Sequence, residues 1–133
     1  MPKKLKIEDL LLKAGYSAKA IKLYASKVNV GSMDKPDVSF AYTGLPCGDT
    51  ITLCLKLEND VIKDAKFEYK GCVGTACAGS ALTSLLIGKR IEEAWKITKE
   101  DVLRELNGLP ETHCAVAVNA LRKALEKLEE RFL

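Results

Sequence analysis

Between residues 50 and 58 apolar and polar side chains alternate without a break, Ile51, Leu53, Leu55 and Leu57 against Thr50, Thr52, Cys54, Lys56 and Glu58. After Asn59 and Asp60 the alternation resumes, with Ala65, Phe67 and Tyr69 set against Asp64, Lys66, Glu68 and Lys70. A period of two predicts a β-hairpin with one face on a core and the other in water. Cys54 falls on the wet row, and the expectation for it is an exposed thiol with no role. From Cys72 the period becomes that of a helix, carried by Ala76, Leu82, Leu85 and Leu86 and ending near Gly88. Two shorter helices follow in "IEEAWKIT" and "KEDVLRELNG", the second capped by Thr98 and closed by Gly108. The last helix carries Cys114, Val118, Leu121, Leu125, Leu128 and Phe132 at steps of three or four. Upstream, "IEDLLLKA" before Gly15 and "SAKAIKLYASKV" with Ser17 as N-cap read as two helices, and residues 31–48 as a loop with a short strand at 38–42. Strands first and helices afterwards predict an α+β fold. It is a small antiparallel sheet of about three strands with helices packed on one face, a helical N-terminus and a long C-terminal helix. The whole of residues 1–133 reads as a single domain.

Composition narrows the function classes. The net charge is +3, and basic residues are scattered among acidic ones rather than gathered into a stripe, so nucleic acid is not an expected partner. The opening "MPKKLKIEDLLLKAG" has only a three-leucine run and no small-residue cleavage pattern, which reads as neither signal peptide nor membrane span and places the chain in the cytoplasm. Five cysteines in a reducing compartment point away from disulfides, leaving metal ligation, thiol chemistry or burial as small hydrophobes.

Three of those cysteines fall at the ends of predicted elements. Cys47 lies in the loop before the first long strand, Cys72 at the junction from strand to helix, and Cys114 at the opening of the last helix beside His113, the chain's one histidine. The positive end of a helix favours a thiolate, the species that binds metal or attacks an electrophile. Asp49 stands two residues after Cys47, with Gly48 allowing a tight turn between them. Such a set offers three sulfurs plus one carboxylate or imidazole. Zinc accepts three Cys and one His, whereas iron–sulfur clusters normally take four thiolates. Gaps of 24 and 41 residues between the three cysteines diagnose no metal by themselves. A Cys-His-Asp hydrolase with Cys47 or Cys72 as nucleophile uses the same residue types, and buried cysteines with a capping Asp and His remain the plain alternative. Cys77, five positions from Cys72 on a helix, points roughly 140° away from it.

The segments "NVGSMD" (29–34), "PCGD" (46–49), "IKDAKFEYKGC" (62–72), "GKRIEEA" (88–94) and "HC" (113–114) follow in an order and spacing that resemble the IscU/NifU-type iron–sulfur cluster assembly scaffolds, in the IscU-like branch. The resemblance runs over about residues 16–132, with residues 1–15 as an extension. It implies a carrier rather than an enzyme. A labile [2Fe–2S] cluster would be built from iron and from persulfide sulfur delivered by a cysteine desulfurase, with the help of iron and electron donors, and passed to acceptor apoproteins. It also implies that Cys47, Cys72 and Cys114 are the cluster cysteines and candidate persulfide acceptors, Asp49 the aspartate linked to cluster lability, and His113 the adjoining histidine. Asp49 is the first choice for the fourth position, since its place beside Cys47 is set locally, and His113 the other. Zinc in the apo form, or a zinc-binding sulfur acceptor of the SufU type, would use the same residues, but the interval between Cys72 and Cys114 lacks the extra SufU segment. "LPET" replaces the Leu-Pro-Pro-Val-Lys motif of members served by a dedicated Hsp70-type chaperone, with Glu111 and Thr112 in place of its basic part. That departure puts the chaperone partnership in question. A cluster held in one chain or bridging two both suit these residues, the latter as a homo-oligomer.

Overall fold

The computed structural model describes residues 7–44, 48–108 and 111–130; Cys47 and Phe132 lie outside them. Asn59 and Asp60 take φ of 52° and 64°, the left-handed pair that a two-residue type I′ hairpin turn needs. They join β2 (Asp49–Glu58) to β3 (Val61–Lys70), and β1 (Val38–Gly44) pairs antiparallel with the other side of β2, giving the order β1-β2-β3. The register stacks Phe40, Leu53 and Phe67 in one row and Tyr42, Ile51 and Tyr69 in the next. A slip of one residue would turn both rows into water. β1 runs to Gly44, beyond the predicted 38–42, because pairing with β2 continues through Thr43 and Gly44.

The helices are α1 (Ile7–Lys13), α2 (Ala18–Ala25), α3 (Val73–Leu86), α4 (Ile91–Ala94), α5 (Lys99–Leu106) and α6 (Glu111–Glu130). α3 packs on β3 and β2, and α6 on β1 and β2, so both cover the same face of the sheet. Between them Ile51, Leu53, Leu55, Phe67, Leu82, Leu121 and Leu125 are completely buried. Burying one such side chain contributes about 1.5–3 kcal/mol. The α+β arrangement expected from the pattern is the one found. The predicted caps form as well: the Ser17 hydroxyl accepts from the Ala20 N–H at 3.0 Å, and Thr98 and Asp101 form a reciprocal capping box.

Two glycines let the helices settle on the sheet. A Cβ at Gly79 of α3 would run into the ring of Phe67, and one at Gly44 would run into Val116 of α6. Gly44 is the register partner of Asp49, so the second contact seats the first turns of α6 on the end of the sheet where that carboxylate stands. The far edge of β3 is partly covered by irregular backbone. Phe67 donates to the Asn29 carbonyl at 3.0 Å and Gly31 to the Phe67 carbonyl at 2.9 Å, while Ile62 and the 88–89 backbone exchange two bonds of 2.8 Å. Covering an edge in this way removes a template for unwanted pairing.

Three expectations need correction. Cys54 is buried, at 6% exposure, with its Sγ 3.5 Å from the Ser39 hydroxyl. β2 is the central strand, so a small side chain on its open face is shaded by the paired residues Ser39 and Lys66 on both sides. α4 stops at Ala94, because Trp95 caps it and Thr98 starts α5 three residues later. α6 begins at Glu111, three residues before Cys114. In the sequence Pro110 comes directly before it, and proline lacks the N–H that a helix start leaves unpaired in any case.

Replacing Gly79 by valine gains some helix propensity but forces two methyls against a fully buried ring. Overpacking of this kind costs about 1–3 kcal/mol, and urea unfolding of G79V should show a net loss of roughly 2 kcal/mol; unchanged or increased stability would show that α3 does not rest on Phe67 as described.

Candidate functional site

The buried row of β2 does not end on an apolar residue. In the sequence Asp49, Ile51, Leu53 and Leu55, every second residue, the first member is a carboxylate, and Asp49 is 8% exposed. A carboxylate at that depth needs partners. One comes from α6, where His113 Nε2 lies 3.1 Å from Asp49 Oδ2. The same ring nitrogen lies 3.0 Å from Cys72 Sγ. Cys72 is the N-cap of α3, directly after β3, with extended backbone and no side-chain bond to the helix it starts. Its sulfur is therefore left for other partners, and Cys72 is exposed.

One oxygen of Asp49, Cys72 Sγ and one nitrogen of His113 all lie within 4.8 Å of one another. The ends of β2, α3 and α6 thus present a hard oxygen, a soft sulfur and a borderline nitrogen to one point. Hydrogen bonding assigns the imidazole proton. An ionised carboxylate only accepts, so Nε2 at 3.1 Å must carry hydrogen, and it also points at the sulfur. Among the described residues Nδ1 is buried without a partner. A tetrahedral ion with ligands at roughly 2.0–2.3 Å would separate its donors by about 3.3–3.8 Å, a little more than the 3.0 and 3.1 Å of the two hydrogen-bonded pairs, with all three donors within 4.8 Å. The donor set and its size fit a zinc or iron centre that would displace the shared proton.

Gly71 makes the approach feasible. It has φ of 151°, and a Cβ built on it would stand 2.5 Å from Asp49 Oδ1 and 2.6 Å from Thr75 Oγ1. Any larger residue there would push the carboxylate away and strain the backbone. Neither Gly71 nor Thr75 is a candidate by residue chemistry. The signal available was positional, a glycine just before the cysteine and a hydroxyl three residues after it.

Of the five expected site residues, Asp49, Cys72 and His113 come together. Cys114, next to His113 on α6, is completely buried and packs with the core cluster; among the described residues the three donors within 4.8 Å of one another are Asp49, Cys72 and His113. Cys47 lies outside the described residues, and Gly48, after it, has φ of 74°. Cys77 is fully buried, with its Sγ 3.5 Å from the Ala20 carbonyl. Burial, and then the charge of Cys72, push its thiol up to about 11. Burial, with lesser help from Cys72 and Cys77, also raises the Tyr16 phenol. No helix among the described residues is long and apolar enough to cross a membrane.

The family described as NifU-like N terminal domain matches residues 15–133. The "Iron-sulfur cluster assembly scaffold protein IscU" of Haemophilus influenzae is 38% identical over 116 residues, covering 83% of this chain and 92% of that protein. The "Iron-sulfur cluster assembly enzyme IscU" of Drosophila melanogaster is 42% identical over 118 residues, covering 83% of this chain and 75% of the other. In fold, the crystal structure of a NifU-like N-terminal protein from Brucella abortus superposes with a TM-score of 0.66 over 86% of this chain and 94% of its own, at 20% identity.

The two thiols on α3 and its cap should differ sharply towards iodoacetamide. Because the Cys77 value is raised to about 11, its thiolate forms only as pH climbs towards that value and is about one part in a thousand at pH 8. Mass-mapped alkylation at pH 8 should mark Cys72 at least a hundredfold faster, and comparable rates would contradict the burial of Cys77.

Proposed function

The chain belongs to the NifU-like N-terminal domain family, and from that premise we propose that it is an iron–sulfur cluster assembly scaffold. It builds a [2Fe–2S] cluster from iron and from persulfide sulfur supplied by a cysteine desulfurase, with electrons from a donor protein reducing that sulfur to sulfide, and hands it to apoproteins. The observation that carries this reading is the meeting of a thiol, an imidazole and a carboxylate within 4.8 Å at the joined ends of β2, α3 and α6. Cys47, Cys72 and Cys114 supply the sulfurs. Asp49 is the exchangeable fourth ligand and His113 its neighbour. The reducing cytoplasm is the compartment that keeps these thiols free.

Physical chemistry suits a carrier better than a permanent holder. Thiolates bind the soft iron, while a carboxylate in the fourth place is the harder and weaker partner for it. Cys72 is exposed, where a second protein can deliver or withdraw sulfur. The cluster is cargo, so the chain's own residues do three things. Asp49 and His113 orient the site, the N-cap place of Cys72 keeps its sulfur unbonded to the backbone of α3, and Gly71 leaves room for the carboxylate.

A zinc-binding sulfur acceptor is the second reading. It is favoured by the sulfur, nitrogen and oxygen donor set, which zinc also takes. The two differ in what is transferred.

Anaerobic reconstitution with ferrous iron, cysteine, a desulfurase and a dithiol reductant should give a coloured protein with iron and acid-labile sulfide in equal amounts, and that cluster should move to an apo-ferredoxin. Changing Cys47, Cys72 or Cys114 singly to serine should lower the sulfide retained at least tenfold. Full retention in all three variants would overturn the scaffold; zinc binding with persulfide transfer and no cluster would leave the second reading.

A further inference from the structure

The sulfur of Cys72 has one further near neighbour, on the helix that it caps. A helix N-cap usually turns its side chain onto the amide of the second or third helical residue. Cys72 makes no such bond. The third helical residue is Thr75, completely buried, and its hydroxyl lies 3.9 Å from Cys72 Sγ. That is its one hydrogen-bond partner among the described residues. The spacing is long for a neutral thiol, and a thiolate is the stronger acceptor that draws a donor closer. Thr75 Oγ1 and Asp49 Oδ1 both stand beside the space that a Cβ on Gly71 would fill, so the missing side chain is what lets the hydroxyl sit there. Were Thr75 simply filler, valine would have the same shape without a buried hydroxyl to satisfy.

We propose that Thr75 is a positioning residue for Cys72: its hydroxyl donates to the sulfur whenever that sulfur is a thiolate, free or bound to metal, and holds it facing Asp49 and His113. A donor aimed at a ligating sulfur draws electron density from it and so adjusts how tightly and at what potential the metal is held. The metal-bound half rests on the scaffold reading; the metal-free half does not. The other groups that bear on the sulfur are Asp49 of β2, His113 of α6, Tyr16 of the α1–α2 link and Cys77 of α3, and none of them changes in the variants below.

The test compares wild type with T75V and T75S, each checked for native near-ultraviolet circular dichroism. In metal-free protein, the iodoacetamide rate at Cys72, mapped by mass spectrometry across pH, should have its midpoint raised by about half a unit in T75V. T75S should restore it. With Co(II) as the probe, the sulfur-to-cobalt charge-transfer band should move to longer wavelength in T75V and return in T75S. Should T75V fail to fold, T75A carries the same expectations. A folded variant lacking the hydroxyl with the wild-type Cys72 profile and the wild-type band would overturn the proposal. Failure of wild type to take up Co(II) or build a cluster would count against the scaffold reading alone, and the metal-free profile would still decide the role of Thr75.

Discussion

One ring nitrogen joins the site. His113 Nε2 stands 3.1 Å from the Asp49 carboxylate and 3.0 Å from the Cys72 sulfur, and those three residues belong to the ends of a strand and two helices far apart in the chain. The interaction is needed because Asp49 occupies the last place in an otherwise apolar row. A carboxylate there has given up most of its water and must find a donor within the protein. The register of β2 with β1, the contact of Gly44 with Val116 and the open space over Gly71 all serve to bring that donor within reach.

Much of the fold was legible in the sequence because it rests on periodicity. The alternation in residues 50–58 and 64–70, the left-handed Asn59–Asp60 turn and the caps at Ser17 and Thr98 are local signals, and the structure follows them. What failed was contextual. Cys54 sits on the polar row, but a central strand shades small residues on either face, so alternation alone overstates their exposure. The apolar stripe of α6 begins at Cys114, while its backbone begins at Glu111.

The site was legible in its members and less so in its geometry. Residue type and position at element ends singled out Cys47, Asp49, Cys72, His113 and Cys114, and of these Asp49, Cys72 and His113 meet. Nothing local indicates that Cys114 is completely buried while its neighbour His113 reaches the carboxylate, one step of about 100° away around a helix. Gly71 matters through the space it leaves and Thr75 through the atom its hydroxyl faces. Such supporting positions emerge from packing, which periodicity does not encode.

The central claim is that the ends of β2, α3 and α6 converge on a single inorganic centre. Iron-edge X-ray absorption of the anaerobically loaded protein tests it most directly. The account predicts a first shell dominated by sulfur with one lighter donor per cluster and a short iron–iron vector. A shell of oxygen and nitrogen alone, with no iron–iron vector, would contradict it.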